Sequence, residues 1–268
     1  MESVIKKDSG QKGKTLAVFC GVHGNEKAGI YAVNKVLDSI DIKRGVVFFV
    51  FANLKAIEEN KRFIDKNLNR CFFDDQKGTS YEEGRAKDLI EILKMSDALL
   101  DVHASNNPET IPFIITDNGF DVVSSMNFKI IAKGFDKLEP GSTDEYMKSK
   151  GKIGICLECG YVGESRENTD IAYNSIIQFL QYFNAIDYRI PSYNLNQRIL
   201  YVDEVQKVTS VNFKLTKPFK DFEVVKKGTI IAEDENRRYV TDKERIILFG
   251  VSGKPIGAEA YILGNWVE

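Results

Sequence analysis

The chain has 268 residues, of which 43% are hydrophobic and 28% are charged, and its formal net charge is −2. This composition is typical of a globular protein, and the length suffices for one large domain, or for one large and one small domain, each with its own core. Because acidic and basic residues are nearly balanced, neither nucleic acid nor an anionic membrane is expected as the main partner.

Hydrophobicity and cysteine content exclude further classes of protein. The longest apolar run, Val46–Ala52, is far shorter than the ~20 residues with which a helix crosses a bilayer. The charged N-terminal stretch lacks the apolar core of a signal peptide. The 4 cysteines are too few for a disulfide framework in a chain of this length. We therefore expect a reduced, cytoplasmic protein without a membrane segment.

The first predicted elements form a βαβ unit. Thr15–Gly21 is apolar throughout, which predicts a strand that is buried on both faces of a parallel sheet. After a loop, Glu26–Ile40 places apolar residues at three- and four-residue steps, as an amphipathic helix does. Val46–Asn53 predicts a second buried strand. This succession indicates an α/β fold.

The middle of the chain combines a long polar segment with further helices and strands. Leu54–Asp75 has no clear periodicity, and a segment of this length is either disordered or functional. The patterns that follow predict helices at Tyr81–Met95, capped by Thr79 or Ser80, and at Thr169–Ile186, and strands at Ala98–His103, Ile111–Thr116 and Ile153–Cys159.

The pattern changes after Pro191. Short alternating runs, separated by Lys-Gly, Lys-Pro and Ser-Gly pairs, predict strands and turns through the rest of the chain. We therefore predict two domains: residues 1–190 with an α/β fold, and residues 191–268 as a small, β-rich C-terminal domain.

Ionisable side chains follow three of the predicted strands. His23 and Glu26 come after the first strand, His103 ends the third, and Glu158 lies near the end of the fifth. Ligands of open α/β sheets bind beyond the carboxyl ends of the strands. We therefore expect these four groups to converge on one site if the strands are neighbours.

This group includes both histidines of the chain. A catalytic zinc commonly has three protein ligands, with two His and one Glu as a known set, and keeps a fourth position for water. His23 and Glu26 are close enough on a turn to reach one ion, and His103 can complete the set. The alternative is that His23 is an ordinary loop histidine and that His103 only closes a strand.

Glu158 and the two cysteines beside it each allow two interpretations. A carboxylate within this apolar strand is costly unless it is paired or used, so Glu158 is either neutralised by Lys or Arg or is a general base beside a metal-bound water. No second pair of cysteines lies near Cys156 and Cys159 in the sequence, and the two thiols would face opposite sides of a strand. This favours ordinary buried cysteines over a redox pair.

Two arginines and an asparagine stand out in the long polar segment. The guanidinium groups of Arg62 and Arg70 can bind carboxylates through two parallel hydrogen bonds or stabilise a developing oxyanion, and Asn69 lies next to Arg70. The alternative for this segment is a solvated charged loop.

Four of these segments together resemble the succinylglutamate desuccinylase/aspartoacylase family, which belongs to the zinc carboxypeptidase-like hydrolases. Gly21–Glu26 reads GVHGNE and is similar to the family's G-x-H-G-N-E motif. Arg62–Phe72 resembles its R-[FY]-I-D-x-D-L-N-R-x-F segment. Leu100–His103 resembles its D-[LV]-H ligand strand, and Leu157–Gly160 resembles the E-x-G segment of its catalytic glutamate. The matches follow the family's order.

The resemblance implies a fold and a metal centre. The fold would be α/β, with a mixed, mostly parallel central sheet, helices on both faces and a small C-terminal all-β domain. One Zn²⁺ per chain would be bound by His23, Glu26 and His103. The resemblance also implies roles for four other side chains. Glu158 would be the general base and then the general acid, Arg62 would polarise the scissile carbonyl, and Asn69 and Arg70 would hold a substrate carboxylate.

Three positions concern the choice of substrate. Asn67 stands where the family usually has Asp, which removes a charge that would orient Arg70. Lys148 stands where the aspartoacylase branch has an arginine that binds the substrate carboxylate. Tyr261 is the candidate for the tyrosine with which the C-terminal domain of that branch closes the site. Lysine replaces the charge of arginine but not its fork geometry.

The implied function is that of a zinc-dependent amidohydrolase, which cleaves the amide bond of a small N-acyl amino acid with a metal-activated water. Its partner would be this small-molecule substrate, with no nucleic acid and no membrane, and a homo-oligomer is left open. Two alternatives remain. The chain is a carboxypeptidase that acts on peptides or cell-wall fragments, or a non-catalytic metal- or ligand-binding protein that kept the fold.

Overall fold

The computed structural model describes residues 2–75, 77–193 and 195–267. The strands are β1 Val4–Asp8, β2 Thr15–Cys20, β3 Val46–Phe51, β4 Ala98–Ser105, β5 Phe113–Ile115, β6 Ile130–Lys133, β7 Ile153–Tyr161, β8 Arg198–Lys207, β9 Lys214–Leu215, β10 Glu223–Val225, β11 Ile230–Glu233, β12 Arg238–Val240, β13 Arg245–Leu248 and β14 Glu259–Trp266. The helices are α1 Lys27–Ser39, α2 Leu54–Glu58, α3 Tyr81–Met95, α4 Phe120–Val123, α5 Phe135–Leu138, α6 Thr143–Ser149 and α7 Arg166–Tyr182, and one 3₁₀ turn spans Leu68–Arg70.

A mixed 11-stranded sheet forms the centre of the fold, in the order β1-β3-β2-β4-β7-β5-β6-β8-β14-β13-β10. The strands β3, β2, β4 and β7 are parallel to one another, so their carboxyl ends lie at the same edge. β5 is antiparallel to β7, and β6 and β8 are parallel to β5. This confirms the mixed central sheet that the sequence predicts.

Helices cover both faces of the sheet because the central strands are apolar on both sides. On β2, the side chains of Leu16 and Val18 pack into the hydrophobic cluster that contains residues of α1 and α7. The side chains of Ala17 and Phe19 point the other way, into a cluster with residues of α3 and α6. The continuous apolar run of this strand is therefore explained by burial on two faces.

The C-terminal strands belong to two sheets. β8 pairs with β6 and is followed by β14, β13 and β10, so these strands extend the central sheet. β12, β11 and β9 form a separate 3-stranded sheet, which agrees with the predicted small all-β unit. The exact division into residues 1–190 and 191–268 stays a prediction.

The elements that the sequence pattern did not predict are short or exposed. The segment from Leu54 to Asp75, expected to be irregular, contains α2 and a 3₁₀ turn. β1 is an edge strand with three exposed residues, and the helices α4 to α6 are too short to display a helical period. The strand predicted at Ile111–Thr116 is reduced to β5, since Pro112 has no N–H to donate to a neighbouring strand.

Within the described residues, no helix is both long enough and apolar enough to cross a membrane.

Candidate functional site

The register of the parallel strands brings the predicted site residues together. β2 lies next to β4, with Cys20 opposite Val102, so His23, which follows β2, comes near His103 towards the end of β4. β4 lies next to β7 with His103 directly opposite Glu158. The expected convergence at the carboxyl edge of the sheet is therefore present.

The loop between β2 and α1 positions His23 and Glu26 side by side. The backbone N–H of Glu26 donates to the carbonyl oxygen of His23 over 3.1 Å, which closes a tight turn. A Cβ atom at position 24 would lie 2.0 Å from the backbone of Ala56, so only glycine fits there. The N–H of Gly24 also donates to the carbonyl oxygen of Arg62 over 3.2 Å, which joins this loop to the arginine-bearing segment.

Three buried side chains present possible ligand atoms to one point. His23 Nδ1 lies 2.7 Å from one carboxylate oxygen of Glu26, and His103 Nδ1 lies 3.0 Å from the other. One ligand atom from each of the three residues lies within 4.8 Å of the others. The two Nδ1 atoms are 3.2 Å apart, and their lone pairs repel unless a proton or a cation lies between them. This donor set fits a divalent metal such as zinc.

Further polar groups orient the two imidazoles. Asp101 Oδ2 lies 3.0 Å from His103 Nε2 and accepts a 2.6 Å hydrogen bond from Thr143 Oγ1. Asn67 Oδ1 lies 2.9 Å from His23 Nε2, so the amide oxygen can accept the Nε2 proton and leave the Nδ1 lone pair facing Glu26. The sequence predicts a relation of Asn67 to Arg70 instead, and it predicts no separate role for Asp101.

Burial and charge shift the pKa values of the two histidines in opposite directions. Burial and the nearby charge of Arg62 together lower the pKa of His23 to about 4, although the carboxylate of Glu26 opposes this shift. Burial also opposes the charged form of His103, but the carboxylates of Asp101 and Glu26 raise its pKa well above the usual value. Burial would raise the pKa of Glu26, yet both histidines hold it well below its usual range. The site therefore favours a buried carboxylate that stays ionised.

The Asp101 carboxylate predicts a specific effect on metal binding. We expect Asp101→Asn to weaken the binding of Zn²⁺ by about 10- to 100-fold, because a carboxylate behind a ligand histidine fixes its ring and raises its basicity. Competition with a chromogenic chelator measures this change. Asp88→Asn, at an exposed position of α3, serves as the control, and unchanged affinity of Asp101→Asn would contradict the assigned role.

Glu158 lines the cavity that His23, Glu26 and His103 also line, and it forms no ion pair within the part of the chain that the structure describes. It is 9% exposed, and its Oε2 atom has no hydrogen-bond partner among the described residues. Burial and the charge of Glu26 together raise the pKa of Glu158 to about 8. The interpretation of Glu158 as a carboxylate neutralised by Lys or Arg is thus not supported by an ion pair at this position.

The neighbouring cysteines pack into different parts of the core. Cys156 lies in the cluster beside Phe113, whereas Cys159 lies in the cluster that contains α1 and α7. Both are free thiols, and burial raises the pKa of each well above the usual value. This agrees with the expectation that the two thiols face opposite sides of the strand.

One buried carboxylate holds the arginine-bearing segment in place. Glu82, in the first turn of α3, is 0% exposed. Its two oxygens accept hydrogen bonds from the backbone N–H groups of Ile64, Asp65 and Lys66, at 2.7, 3.0 and 3.2 Å. The Nδ2 of Asn53 donates to it as well, over 3.1 Å. The long polar segment is therefore ordered at these residues. Of the two interpretations given for it, disordered or functional, this order favours the second.

This segment brings its three predicted site residues to the cavity. Arg62, Asn69 and Arg70 all line it. Arg62 donates to Glu26 Oε1 over 3.0 Å, and Arg70 Nε donates to Glu139 Oε2 over 2.7 Å. The cavity has a volume of about 110 Å³, which suits a small ligand.

Two predicted substrate-binding residues lie elsewhere. Lys148 Nζ is 2.7 Å from Asp136 Oδ2 and 3.8 Å from Asp117 Oδ2, and Lys148 is not among the described residues that line the cavity. Tyr261 is buried in the hydrophobic cluster of the C-terminal strands and does not line the cavity either. The structure therefore does not bring these two side chains to the other site residues.

The C-terminal part of the chain sends different residues to the cavity. Phe249, Val251, Lys254 and Glu259 line it, beside Glu139 from the end of α5. The sequence analysis missed these residues because they lie in short runs without a motif. Only the Ser-Gly turn signal at Ser252–Gly253 marks a loop there.

Known proteins share the fold of this chain. A succinylglutamate desuccinylase structure from Vibrio cholerae superposes with a TM-score of 0.80 at 17% identity, covering 98% of this chain and 85% of the other. A succinylglutamate desuccinylase/aspartoacylase structure from Rhodobacter sphaeroides gives a TM-score of 0.76 at 18% identity, covering 99% and 88% of the two chains. At this identity, the likeness concerns the fold.

Sequence relatives extend the comparison. A succinylglutamate desuccinylase of Pseudoalteromonas atlantica is 24% identical over 286 aligned positions, covering 93% of this chain and 80% of the relative. A probable aspartoacylase of Nostoc sp. is 25% identical over 193 positions, which span 63% of this chain and 65% of the relative's length. A family model, described as the succinylglutamate desuccinylase/aspartoacylase catalytic domain, matches residues 12–180. The chain therefore belongs to the succinylglutamate desuccinylase/aspartoacylase family.

Proposed function

We propose that this protein is a zinc-dependent hydrolase that cleaves the amide bond of a small N-acyl amino acid. The observation that carries the proposal is the convergence of His23, Glu26 and His103 within 4.8 Å in a cavity that Glu158 and Arg62 also line. We propose one zinc ion per chain and a cytoplasmic location.

The three ligand residues would hold the cation, and the residues around them would perform the proton transfers. When bound, a divalent cation lowers the pKa of water and polarises a carbonyl oxygen. His103 and Arg62 already oppose the raised pKa of Glu158, and a cation would lower it in the same direction. Glu158 would then be ionised and able to accept a proton.

Glu158 would act first as a base and then as an acid. It would take a proton from the water that attacks the amide carbonyl, and it would later give this proton to the leaving amine. Its Oε2 is buried without a hydrogen-bond partner among the described residues, and Glu158 lines the cavity, so a hydrogen bond to the attacking water would satisfy this oxygen. Arg62 would stabilise the negative charge that develops on the carbonyl oxygen.

Asn69 and Arg70 would bind the carboxylate of the amino acid. Arg70 is held by Glu139 through its Nε and donates from Nη1 to the carbonyl oxygen of Asn69 over 2.6 Å. These contacts fix the guanidinium plane, which can still offer further N–H groups to a carboxylate. The names of the relatives, desuccinylases and aspartoacylases, support an acyl amino acid as the substrate.

A panel of substrates with detection of free amines tests this proposal. We expect the zinc-loaded protein to release amine from at least one N-acetyl or N-succinyl amino acid, and to lose this activity after chelation and regain it with zinc. Preferential cleavage of dipeptides or cell-wall peptides would favour the carboxypeptidase alternative. Full zinc occupancy without hydrolysis of any compound would favour the non-catalytic alternative.

A further inference from the structure

Two segments that are far apart in the sequence line the cavity. One comprises residues 105–107, at the end of β4 and just after the proposed ligand His103. The other is the loop after β13, which contributes Phe249 and Val251. Because both segments form walls of the cavity, its shape depends on how they are held relative to each other.

One buried carboxylate holds both segments. Asp221, between β9 and β10, is 6% exposed and is absent from the cavity lining that the described residues form. Its Oδ1 accepts a hydrogen bond from Asn107 Nδ2 over 2.8 Å and another from the backbone N–H of Phe249 over 2.7 Å. A single oxygen atom therefore joins one wall of the cavity to the other.

Further hydrogen bonds fix the side chain of Asn107. Its Nδ2 also donates to the carbonyl oxygen of Phe219 over 3.0 Å, and its Oδ1 accepts from the backbone N–H of Glu109 over 3.0 Å. The backbone N–H of Asp221 donates to the carbonyl oxygen of Glu109 over 3.3 Å. The donor that points at Asp221 therefore has a fixed direction, and a shift of Asp221 would move the segment after β4 as well.

The backbone beside this contact is strained. Phe249 and Phe222, which directly follows Asp221, have φ values of 55° and 67°, in the left-handed region that bulky residues adopt only where their surroundings hold them. Both rings pack against Phe113, with centroid distances of 5.9 and 4.9 Å, and Phe113 lies opposite Glu158 in the sheet. Without the acceptor at Asp221, we expect Phe249 to relax and its ring to leave this place beside the site.

We propose that Asp221 is a positioning residue, whose Oδ1 holds the loop after β13 and residues 105–107 at the separation in which the cavity binds its ligand. The kinetic consequence of this inference rests on the proposed function. Asp221 takes no part in proton transfer. It acts on a bound substrate only through the two segments that it joins.

The proposed reacting groups have supports of their own. The backbone N–H of Ala104 donates to Glu26 Oε2 over 2.9 Å, and Asp101 Oδ2 lies 3.0 Å from His103 Nε2. These contacts do not involve Asp221. We therefore expect the loss of Asp221 to weaken substrate binding more than it slows the chemical step.

Two substitutions at this position separate hydrogen bonding from charge. Asp221→Asn keeps an oxygen that can accept from both donors, and its new amide nitrogen replaces Oδ2, which has no hydrogen-bond partner among the described residues. Asp221→Ala removes the acceptor. With the zinc-loaded protein and its best substrate, we expect Asp221→Ala to raise KM about 10- to 100-fold and to change kcat by less than about threefold, because a misplaced wall loses binding contacts.

The conservative variant and a second turn provide the controls. Asp221→Asn should stay within about threefold of the wild type in KM, since its oxygen still accepts both hydrogen bonds. Asp234 accepts from the backbone N–H groups of Asn236 and Arg237 over 2.8 and 2.9 Å, in the turn between β11 and β12, and Asp234→Ala should leave KM unchanged. An unchanged KM in Asp221→Ala, or an equal rise in both Asp221 variants, would overturn the proposal.

Hydrogen exchange, followed by mass spectrometry, tests the positioning without any substrate. In Asp221→Ala we expect peptides that cover residues 105–110 and 249–258 to exchange about tenfold faster or more, because the loss of the shared acceptor allows both segments to open locally. Asp221→Asn should resemble the wild type, and Asp234→Ala should accelerate exchange only between β11 and β12.

This experiment also separates the inference from the catalytic proposal. If circular dichroism shows that Asp221→Ala is unfolded, Asn107→Ala breaks the same link from the other wall and should accelerate exchange in residues 249–258. Unchanged exchange there in the folded variant would overturn the role of Asp221, whether or not the wild type hydrolyses a substrate. Faster exchange in both segments, together with an inactive wild type, would support the positioning role and contradict only the proposed function.

Discussion

Replacing Glu158 with Gln is expected to leave zinc binding intact and to lower kcat by at least two orders of magnitude. The amide has nearly the same shape as the carboxylate but cannot accept the proton of the attacking water, and general acid–base catalysis typically contributes ~10²–10⁴ in rate. Glu158 is not one of the converging ligand residues, so metal content should not change. Steady-state kinetics and elemental analysis of the same preparation measure both quantities.

A carboxylate far from the cavity provides the control for this substitution. Glu91 lies on α3 with its side chain 68% exposed, and Glu91→Gln should match the wild type in kcat and in zinc content. If Glu158→Gln hydrolysed the best substrate at a rate near that of the wild type, Glu158 would have no part in the proton transfers.

Replacing His103 with Ala is expected to lower bound zinc well below one ion per chain. The substitution removes one of the three proposed ligands, and the chain has only 2 histidines, so no further histidine can replace it. The remaining Asp101 carboxylate would also lose the ring beside which it lies, 3.0 Å from Nε2. Elemental analysis after gel filtration measures the occupancy, and circular dichroism verifies that the variant is folded.

Cys159→Ala serves as the matched control for the loss of zinc. Cys159 is buried on the neighbouring strand β7 but packs into the core cluster with α1 and α7. Its removal should leave the zinc content unchanged, although it creates a small cavity. Full zinc occupancy in His103→Ala would mean that the ion is held by other residues.

The fold was predictable where single elements carry their own signal. The strands β2 and β3 and the helix α3 lie within two residues of the predicted bounds, since each is strongly apolar or has a clear period and cap. Ser80, one of two predicted caps, accepts from the N–H of Glu83, whose side chain caps the N–H of Ser80 in return. The edge strand β1 and the helices α4 to α6 lack such signals, because few of their residues are buried or because they are too short.

The candidate site was predictable in its centre but not at its periphery. His23 and Glu26 are joined by one turn, and the strand-end rule places His103 and Glu158 near them. The roles of Asp101 and Asn67 depend on which ring nitrogen faces inward, and this follows only from packing. The predictions for Lys148 and Tyr261 depend on their place relative to the motifs, and distance along the chain does not determine which way α6 or β14 presents a side chain.

The four hydrogen bonds to Glu82 have a consequence for the cooperativity of the fold. If the segment from Ile64 to Lys66 detached on its own, the buried carboxyl group of Glu82 would lose three of its four hydrogen-bond donors, at a cost on the order of several kcal/mol. The loop that carries the arginines therefore opens only together with the start of α3. A stretch of sequence without clear periodicity is thus tied to the folded core, and we expect the arginines it carries to be held as stably as the first turn of α3.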